Sequence, residues 1–249
     1  DAPLVVLIHG LGLTRDSTWG QIAPSLAREF RVLSYDLCGH GETSLPTMPV
    51  HLSLLAQQLI ALLDFLGFEE GALVGFSLGG MINRRFAIDH PDRVTALAIL
   101  NSPHERSEEQ QKLVEDSARA TSAGGPGANL DVTLARWFTN TFRINYSDRV
   151  SLVRDVVLAN DANNYAAHRQ VLAEGVVELI RPNPPLHHPS LVITCQNDTG
   201  STPAMSHAIA KEINEAETII VPNLQHLGLI EAPSAFADPI TSFLRKKVS

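Results

Sequence analysis

The chain has 249 residues, of which 44% are hydrophobic and 18% charged, so it is long enough to form one large α/β domain around a single core. Its formal net charge of −8, without a run of Lys and Arg, argues against a nucleic-acid partner. No apolar stretch reaches the roughly 18 to 20 residues of a membrane helix, and we expect no membrane partner.

The cysteine content indicates the compartment. Only Cys38 and Cys195 occur, far apart and without metal-ligand spacing. Sparse, unpaired cysteines are typical of a chain from a reducing compartment. We therefore expect a cytoplasmic protein with neither a structural disulfide nor a bound metal, and we expect Cys195 to be a small core residue.

Short apolar runs alternate with longer periodic ones along the chain. The apolar runs, which are typical of buried strands, cover residues 3–10, 31–36, 71–77, 94–103, 190–198 and 217–223. The clearest helical pattern covers residues 52–66, where leucines recur every three or four positions before Gly67: Leu52, Leu55, Leu59, Leu62 and Leu66. Alternating strands and helices predict an α/β fold with a mostly parallel central sheet flanked by helices.

One interval departs from this alternation. Residues 104–187 contain no convincing strand but several amphipathic segments, separated by the Gly-rich "SAGGPGAN" and the turn-like "RINY". The proline-rich "RPNPPLHHP" then returns the chain to the sheet. We predict that this interval, called the insertion below, is a helical cap set between two strands of a core formed by residues 1–103 and 188–249.

The stretch "VGFSLGG" places a serine at a tight, glycine-flanked turn. Gly75, Ser77 and Gly79 fit the pattern G-x-S-x-G between an apolar strand and a helix, where the glycines let the backbone turn sharply and present the hydroxyl at the end of the sheet. Taken alone this pattern is weak, because Gly and Ser are common in turns. A serine nucleophile also needs a base within reach and an acid to orient that base.

Two later residues supply the base and the acid. Asp198 follows the strand "SLVITCQND", and His226 follows the last strand, which gives the order Ser, Asp, His. The carboxyl ends of parallel strands meet at one edge of a sheet, so Ser77, Asp198 and His226 are predicted to lie together there. Glu105 and Glu231 are weaker alternatives for the acid, and none of the other histidines follows the final strand.

Acyl transfer also requires hydrogen-bond donors for the oxyanion that develops in the transition state. The segment "HGLG" follows the first predicted strand. We predict that the backbone N–H of Leu11 and that of Leu78, the residue after the nucleophile, form this oxyanion hole.

Together these motifs resemble those of the α/β-hydrolase family. The resemblance runs from "LVVLIHGLG" through "YDLCGHGETS", "LVGFSLGGMI" and "HPDRV" to "QHLGLIEAPSAF", and the insertion is similar to the cap of the 3-oxoadipate enol-lactonase group and related small esterases. The chain departs from the family pattern at Cys38, where Arg usually precedes Gly-His-Gly, and at Pro239, which is expected to interrupt the last helix.

The resemblance implies a serine hydrolase without a cofactor. A serine nucleophile disfavours the dehalogenases and epoxide hydrolases of this fold, which use aspartate. We expect a small-molecule ester or lactone as substrate. Enol-lactone hydrolysis, carbon–carbon bond hydrolysis and perhydrolysis on the same triad stay open, as do a non-catalytic binding module and a homo-oligomer.

The insertion is expected to supply the substrate pocket. Its aromatic residues Trp137, Phe138, Phe142 and Tyr165 would wall the acyl or ring portion of a largely apolar substrate. Arg136 or Arg143 is a further candidate for meeting a substrate carboxylate. Trp137 is the residue that the resemblance most clearly directs towards Ser77.

Overall fold

A six-stranded parallel sheet organises the molecule. The computed structural model describes residues 2–248, without the side chains of residues 120–123. The strands lie in the order β2-β1-β3-β4-β5-β6. They are β1 (Leu4–Ile8), β2 (Arg31–Tyr35), β3 (Gly71–Phe76), β4 (Val94–Leu100), β5 (Ser190–Cys195) and β6 (Ala216–Val221). The predicted α/β fold is therefore confirmed.

The strand order explains where a site can form. From β1 the chain moves outward to β2 on one side, then returns to place β3 on the other side of β1. The loops that follow β1 and β3 therefore leave the sheet in opposite directions and open a crevice at its carboxyl edge. "HGLG" follows β1, and "FSLGG" runs from the last residue of β3 into the first turn of α4.

Helices cover the two faces of the sheet. Those of the core are α1 (Arg15–Trp19), α2 (Ala23–Leu26), α3 (Leu52–Leu66) and α4 (Leu78–Asp89) before the insertion, and α10 (Pro203–Lys211), α11 (Gly228–Glu231) and α12 (Ser234–Lys247) after it. Helix α3 has the predicted bounds, and Gly67 ends it with a φ of 72° and an N–H donated to the carbonyl of Leu63. Its buried stripe ends at Leu63 rather than at Leu66, which is exposed.

The last helix corrects one expectation. Pro239 lies inside α12 and does not interrupt it. Proline removes one N–H and strains the preceding turn, but the helix continues because Phe236, Ile240 and Phe243 bury their side chains on the core face. Tertiary packing therefore outweighs the local preference.

The described part of the insertion is helical. It forms α5 (Glu108–Gly124), α6 (Leu130–Trp137), α7 (Asn140–Asn145), α8 (Ser147–Leu158) and α9 (Ala162–Glu174), and these residues contain no strand of the sheet. Leu186 forms an isolated bridge with Ile213, so the chain rejoins the sheet region just before residue 188. Among residues 2–248, we find no helix with the length and apolarity needed to span a bilayer.

A cluster of buried histidines joins the insertion to the core. The rings of His9 and His40 lie 5.3 Å apart, and those of His40 and His168 lie 4.7 Å apart. All three side chains are buried. The Nε2 of His9 accepts the N–H of Leu37, and the Nε2 of His40 accepts the N–H of Gly12, so both rings are neutral in this arrangement. Burial lowers the pKa of His9 to about 4 and lowers the pKa of His40 and of His168 as well.

The histidine cluster predicts acid-sensitive stability. Between the lowered pKa values of the folded state and the unfolded value near 6.5, the unfolded chain binds more protons, so the free energy of unfolding falls as the pH drops through this window. His9 alone would lower the free energy of unfolding by about 2 kcal/mol between pH 7.5 and pH 5. Urea unfolding at the two pH values measures this loss. His168→Gln should reduce the pH dependence, whereas replacement of the exposed His207 by Gln should leave it unchanged; equal slopes in both variants would contradict the assignment.

Candidate active site

The turn that carries Ser77 is built for close packing. Ser77 follows β3 with φ 55° and ψ −111°, and α4 begins at the next residue. A Cβ at Gly75 would lie 2.2 Å from the carbonyl oxygen of Gly79, and a Cβ at Gly79 would lie 2.2 Å from that of Ile8. Glycine is therefore required at both positions, because residues 75 and 79 pack against each other and residue 79 packs against β1, as G-x-S-x-G predicts. Strained backbone of this kind is concentrated at functional sites.

Three side chains form a continuous line of hydrogen bonds at the carboxyl edge of the sheet. The Nε2 of His226 lies 3.2 Å from the Oγ of Ser77, and its Nδ1 lies 2.7 Å from the Oδ2 of Asp198. With Nδ1 donating to the carboxylate, Nε2 is left to accept the serine proton. The structure thus brings together the three residues predicted from their positions after separate strands.

The carboxylate of Asp198 is buried but fully bonded. Its Oδ1 accepts the N–H groups of Gly200 and Ser201, both at 2.9 Å, and its Oδ2 accepts the side-chain amide of Asn101 at 2.9 Å in addition to His226. Burial alone would raise the pKa of Asp198, but His226 and these donors hold it below its ordinary value. Asp198 is therefore a carboxylate near neutral pH.

Asn101 is a site residue that the sequence analysis missed. It directly follows β4, is fully buried, and has a φ of 45°. Its position after a parallel strand was the available signal, because the same reasoning placed Asp198 and Ser77 at this edge. Glu105, four residues later, points elsewhere and pairs with Arg181.

The backbone N–H groups predicted to form the oxyanion hole belong to Leu11 and Leu78. Within the described residues, neither the N–H of Leu11 nor that of Leu78 has a hydrogen-bond acceptor. A Cβ at Gly10 would lie 3.2 Å from the Cβ of Ser77, so the loop after β1 lies directly against Ser77. The N–H of Leu78 is also at the first turn of α4, where the helix dipole favours negative charge. This arrangement suits an oxyanion.

A cavity of about 310 Å³ opens onto Ser77, Asp198 and His226. The insertion contributes much of its wall, including Leu113, Thr133, Trp137 and Leu172. The ring of Trp137 lies 6.2 Å from that of His226. The wall is therefore largely apolar beside the reacting groups.

The other predicted pocket aromatics do not line this cavity. Phe138 is fully buried and stacks on Phe142 at 5.3 Å, and Phe142 stacks on Tyr146 at 4.9 Å, so these rings form the interior of the insertion. Tyr165 is buried against Gly12, outside the cavity wall. Trp137, Phe138 and Phe142 do not form one helical stripe, because α6 ends at Trp137 and α7 begins at Asn140. Their residue types could not tell packing within the insertion from packing over the cavity.

Arginines from the insertion also line the cavity. They are Arg106, Arg136 and Arg169, and in the described part of the chain none of them forms an ion pair with a carboxylate. Arg106 donates to the side chain of Gln111, which in turn donates to Glu115, and Arg169 donates to the hydroxyl of Ser117.

These arginines give the cavity a positive balance. The Nε of Arg169 is buried without an acceptor, and burial lowers the pKa of this residue, as it does that of Arg106. Asp198, already bonded to His226, is the sole acidic side chain in the wall among the described residues. Arg143, the alternative named from the sequence, lies outside the cavity and donates to Asn140.

The insertion is bonded to the loop that carries the histidine. The N–H of Leu227 donates to the carbonyl of Trp137 at 2.9 Å. The carboxylate of Glu231 accepts both the N–H and the hydroxyl of Thr139 at 2.7 Å, so it joins α11 to the start of α7. Glu231 therefore has a connecting role and does not contact His226.

Both cysteines lie in sheltered environments. Cys195 is fully buried, and burial raises the pKa of its thiol to about 12. Cys38 lies beside His168, with 3.9 Å between its Sγ and the Nε2 of the ring. Within residues 2–248, no cluster of three or more His, Cys, Asp or Glu side chains is arranged to hold a metal ion.

Known proteins share this architecture. Residues 3–122 match the family model described as the alpha/beta hydrolase fold. The chain is 27% identical over 247 residues to 3-oxoadipate enol-lactonase 2 of Acinetobacter baylyi, which covers 99% of this chain and 90% of that protein.

Solved structures agree over the whole length. The enol-lactonase of Burkholderia xenovorans superposes with a TM-score of 0.87 at 30% identity, covering 98% of this chain and 92% of that one. A thermophilic esterase of Thermogutta terrifontis superposes with a TM-score of 0.87 at 27% identity, covering 99% and 91%. With its parallel sheet, its glycine-flanked serine turn and these relatives, the chain belongs to the α/β-hydrolase family.

Proposed function

We propose that this protein is a serine hydrolase that cleaves small carboxylic esters or lactones. The observation that carries the proposal is the hydrogen-bonded series Ser77, His226 and Asp198, which opens on a cavity with unpaired N–H donors beside it. The relatives named as an enol-lactonase and an esterase support the same class of reaction.

In the first half of the reaction, Ser77 is acylated. Its Oγ attacks the substrate carbonyl carbon while the Nε2 of His226 takes the proton, and Asp198 stabilises the imidazolium that results. The N–H groups of Leu11 and Leu78 bind the oxyanion. The tetrahedral intermediate then collapses, and His226 returns the proton to the leaving alkoxide oxygen, which leaves an acyl-enzyme.

In the second half, water replaces the alcohol. His226 removes a proton from the water, the resulting hydroxide adds to the acyl carbon, and collapse of the second intermediate releases the carboxylic acid and restores the proton to Ser77. With a lactone, the leaving oxygen stays attached to the acyl group, so a single product leaves the site.

The charge in the cavity favours an acidic substrate. Arg106, Arg136 and Arg169 line the wall without carboxylate partners among the described residues. Guanidinium groups bind carboxylates strongly because two N–H groups can meet two oxygens. We therefore propose that a carboxylate-bearing ester or lactone, such as an enol-lactone, is a better substrate than a neutral ester. The insertion then acts as a cap, because it supplies all three arginines together with Trp137.

Loss of the nucleophile gives the first test. Ser77→Ala should lower turnover of a short-chain p-nitrophenyl ester by about six orders of magnitude, the scale seen when a triad nucleophile is removed. A fluorophosphonate should label the native protein but not this variant, because only an activated serine forms the stable adduct. A native, folded protein without an adduct would instead favour a binding module, and substantial residual turnover in folded Ser77→Ala would rule out Ser77 as the nucleophile.

The arginines give the second test. Arg136→Gln and Arg169→Gln should each lower kcat/KM for a carboxylate-bearing ester by about tenfold to a hundredfold, the range expected when a hydrogen bond to a charged group is lost. The methyl-capped analogue of the same ester should be affected much less. Arg143→Gln, which changes an arginine of the insertion outside the cavity, is the matched control. Equal losses on both substrates would mean that the arginines do not bind a substrate carboxylate.

Trp137 gives the third test. Trp137→Ala should change relative kcat/KM across a series of acyl groups by about 1 to 3 kcal/mol, the scale of an apolar pocket contact, while Ser77 still reacts with a fluorophosphonate. Phe138→Leu, at a buried position away from the cavity, should leave the order of acyl preference unchanged. A flat response to Trp137→Ala would assign this ring to packing alone.

A further inference from the structure

The loop after β1 is held by a hydrogen bond to nearly every peptide unit. The carbonyl of Gly10 accepts the N–H of Leu13 at 3.3 Å and the Nδ1–H of His9 at 2.8 Å. The N–H of Gly12 donates to the Nε2 of His40 at 3.1 Å. The N–H of Leu11 is left without an acceptor in the described part of the chain.

One of the bonds to this loop comes from the insertion. The side-chain amide of Asn160, between α8 and α9, donates to the carbonyl of Gly12 at 3.0 Å. The same amide nitrogen also contacts the carbonyls of Val156 and Val157 at 3.0 and 2.9 Å, which fixes it at the end of α8. Asn160 therefore bonds a helix end of the insertion to the loop beside Ser77.

These bonds form a relay through two peptide units. The carbonyl of Gly12 and the N–H of Leu13 belong to the same planar unit, so the bond from Asn160 sets the direction of the Leu13 N–H, which donates to the carbonyl of Gly10. The carbonyl of Gly10 and the N–H of Leu11 belong to a second planar unit, the peptide that joins these two residues. Because the C=O and N–H bonds of a trans peptide point in opposite directions, a fixed Gly10 carbonyl also fixes the direction of the Leu11 N–H.

Gly12 makes this loop sensitive to the loss of a partner. Its φ is 71°, in the left-handed region, and without a side chain it can rotate more freely than other residues. The ring of Tyr165 on α9 covers it closely, since a Cβ at Gly12 would lie 2.7 Å from the Cε2 of that ring. The insertion thus restrains Gly12 both by contact and by the hydrogen bond from Asn160.

We propose that Asn160 is a positioning residue for the oxyanion hole, acting through Gly12, Leu13 and Gly10 on the N–H of Leu11. The inference rests on the proposed function, because it assigns a purpose to that N–H in acyl transfer. It makes docking of the insertion a condition for efficient chemistry as well as for substrate selection. The reacting groups of the core are then incomplete until the link between α8 and α9 is in place.

The test replaces the amide without adding charge. Asn160→Leu keeps the approximate shape but removes the donor, and Asn163→Leu, at an exposed position on α9, is the matched control. Because His9 still holds the carbonyl of Gly10, we expect a drop of about tenfold in kcat, smaller than the roughly hundredfold to thousandfold loss of a whole donor, with KM nearly unchanged.

A second readout separates positioning from general damage. Affinity for a trifluoromethyl ketone, which adds to Ser77 and places an oxyanion in the hole, should fall by about the same factor as kcat/KM. Affinity for the alcohol product should stay within about twofold, because an alcohol has no carbonyl or carboxylate oxygen to place in the hole. Asn160→Ser, which is too short to reach Gly12, provides a second variant if Asn160→Leu does not fold.

The outcomes distinguish this inference from the proposed function. An active native enzyme whose folded Asn160 variants keep kcat and ketone affinity would overturn the positioning role alone. An increase in KM at constant kcat, or equal losses in Asn163→Leu, would also overturn it. A native protein that neither hydrolyses esters nor reacts with a fluorophosphonate would overturn the proposed function and, with it, this inference.

Discussion

The close approach of the serine turn to the end of β1 is the constraint on which the site depends. Between Gly79 and the carbonyl of Ile8 there is no space for a side chain, and Ser77 adopts a positive φ directly after β3. Such backbone is unfavourable by itself and persists because the parallel pairing of β1 with β3 and the buried start of α4 hold it from both sides. The same approach brings the loop after β1 against Ser77, so the proposed nucleophile and the proposed oxyanion donors follow two neighbouring strands.

Electrostatics at the site are arranged around one buried carboxylate. Asp198 accepts bonds from Asn101, Gly200, Ser201 and His226, which offset the loss of water around its charge. A fixed anion on one side of the imidazole stabilises the imidazolium that forms during proton transfer. The arginines of the cavity wall supply positive charge that, in the proposed function, binds a substrate carboxylate. Proton transfer and substrate binding would then use separate sets of charged residues.

The insertion contacts the core at the loop after β1 and at the loop that carries His226. It accepts the N–H of Leu227, next to His226, and it donates through Asn160 to Gly12. Asn164 donates to the carbonyl of Gly39 at 2.9 Å, and His168 lies against His40 in the buried cluster. Since these bonds are made to backbone atoms of the core, changes in the side chains of the cavity wall can alter selectivity without disturbing them.

The sequence by itself determined the elements, their order and the residues at the strand ends. Short apolar runs predicted the strands, leucine spacing with Gly67 predicted α3, and the rule that parallel strands end at one edge placed Ser77, Asp198 and His226 together. These signals are local, or follow from topology, and therefore survive in a single sequence. The exact buried stripe of α3 and the continuation of α12 through Pro239 were decided by packing.

Only the tertiary structure decided which side chains face the cavity. Trp137 and Phe138 are neighbours on one segment, yet one lines the cavity and the other lies inside the insertion, because helix orientation against the core selects between them. Arg106 reaches the cavity from the segment before α5 and Arg169 reaches it from α9, and Asn101 and Asn160 act through bonds to residues 97 and 148 positions away. Contacts over such separations depend on how the helices dock, and no local pattern in the chain encodes that docking.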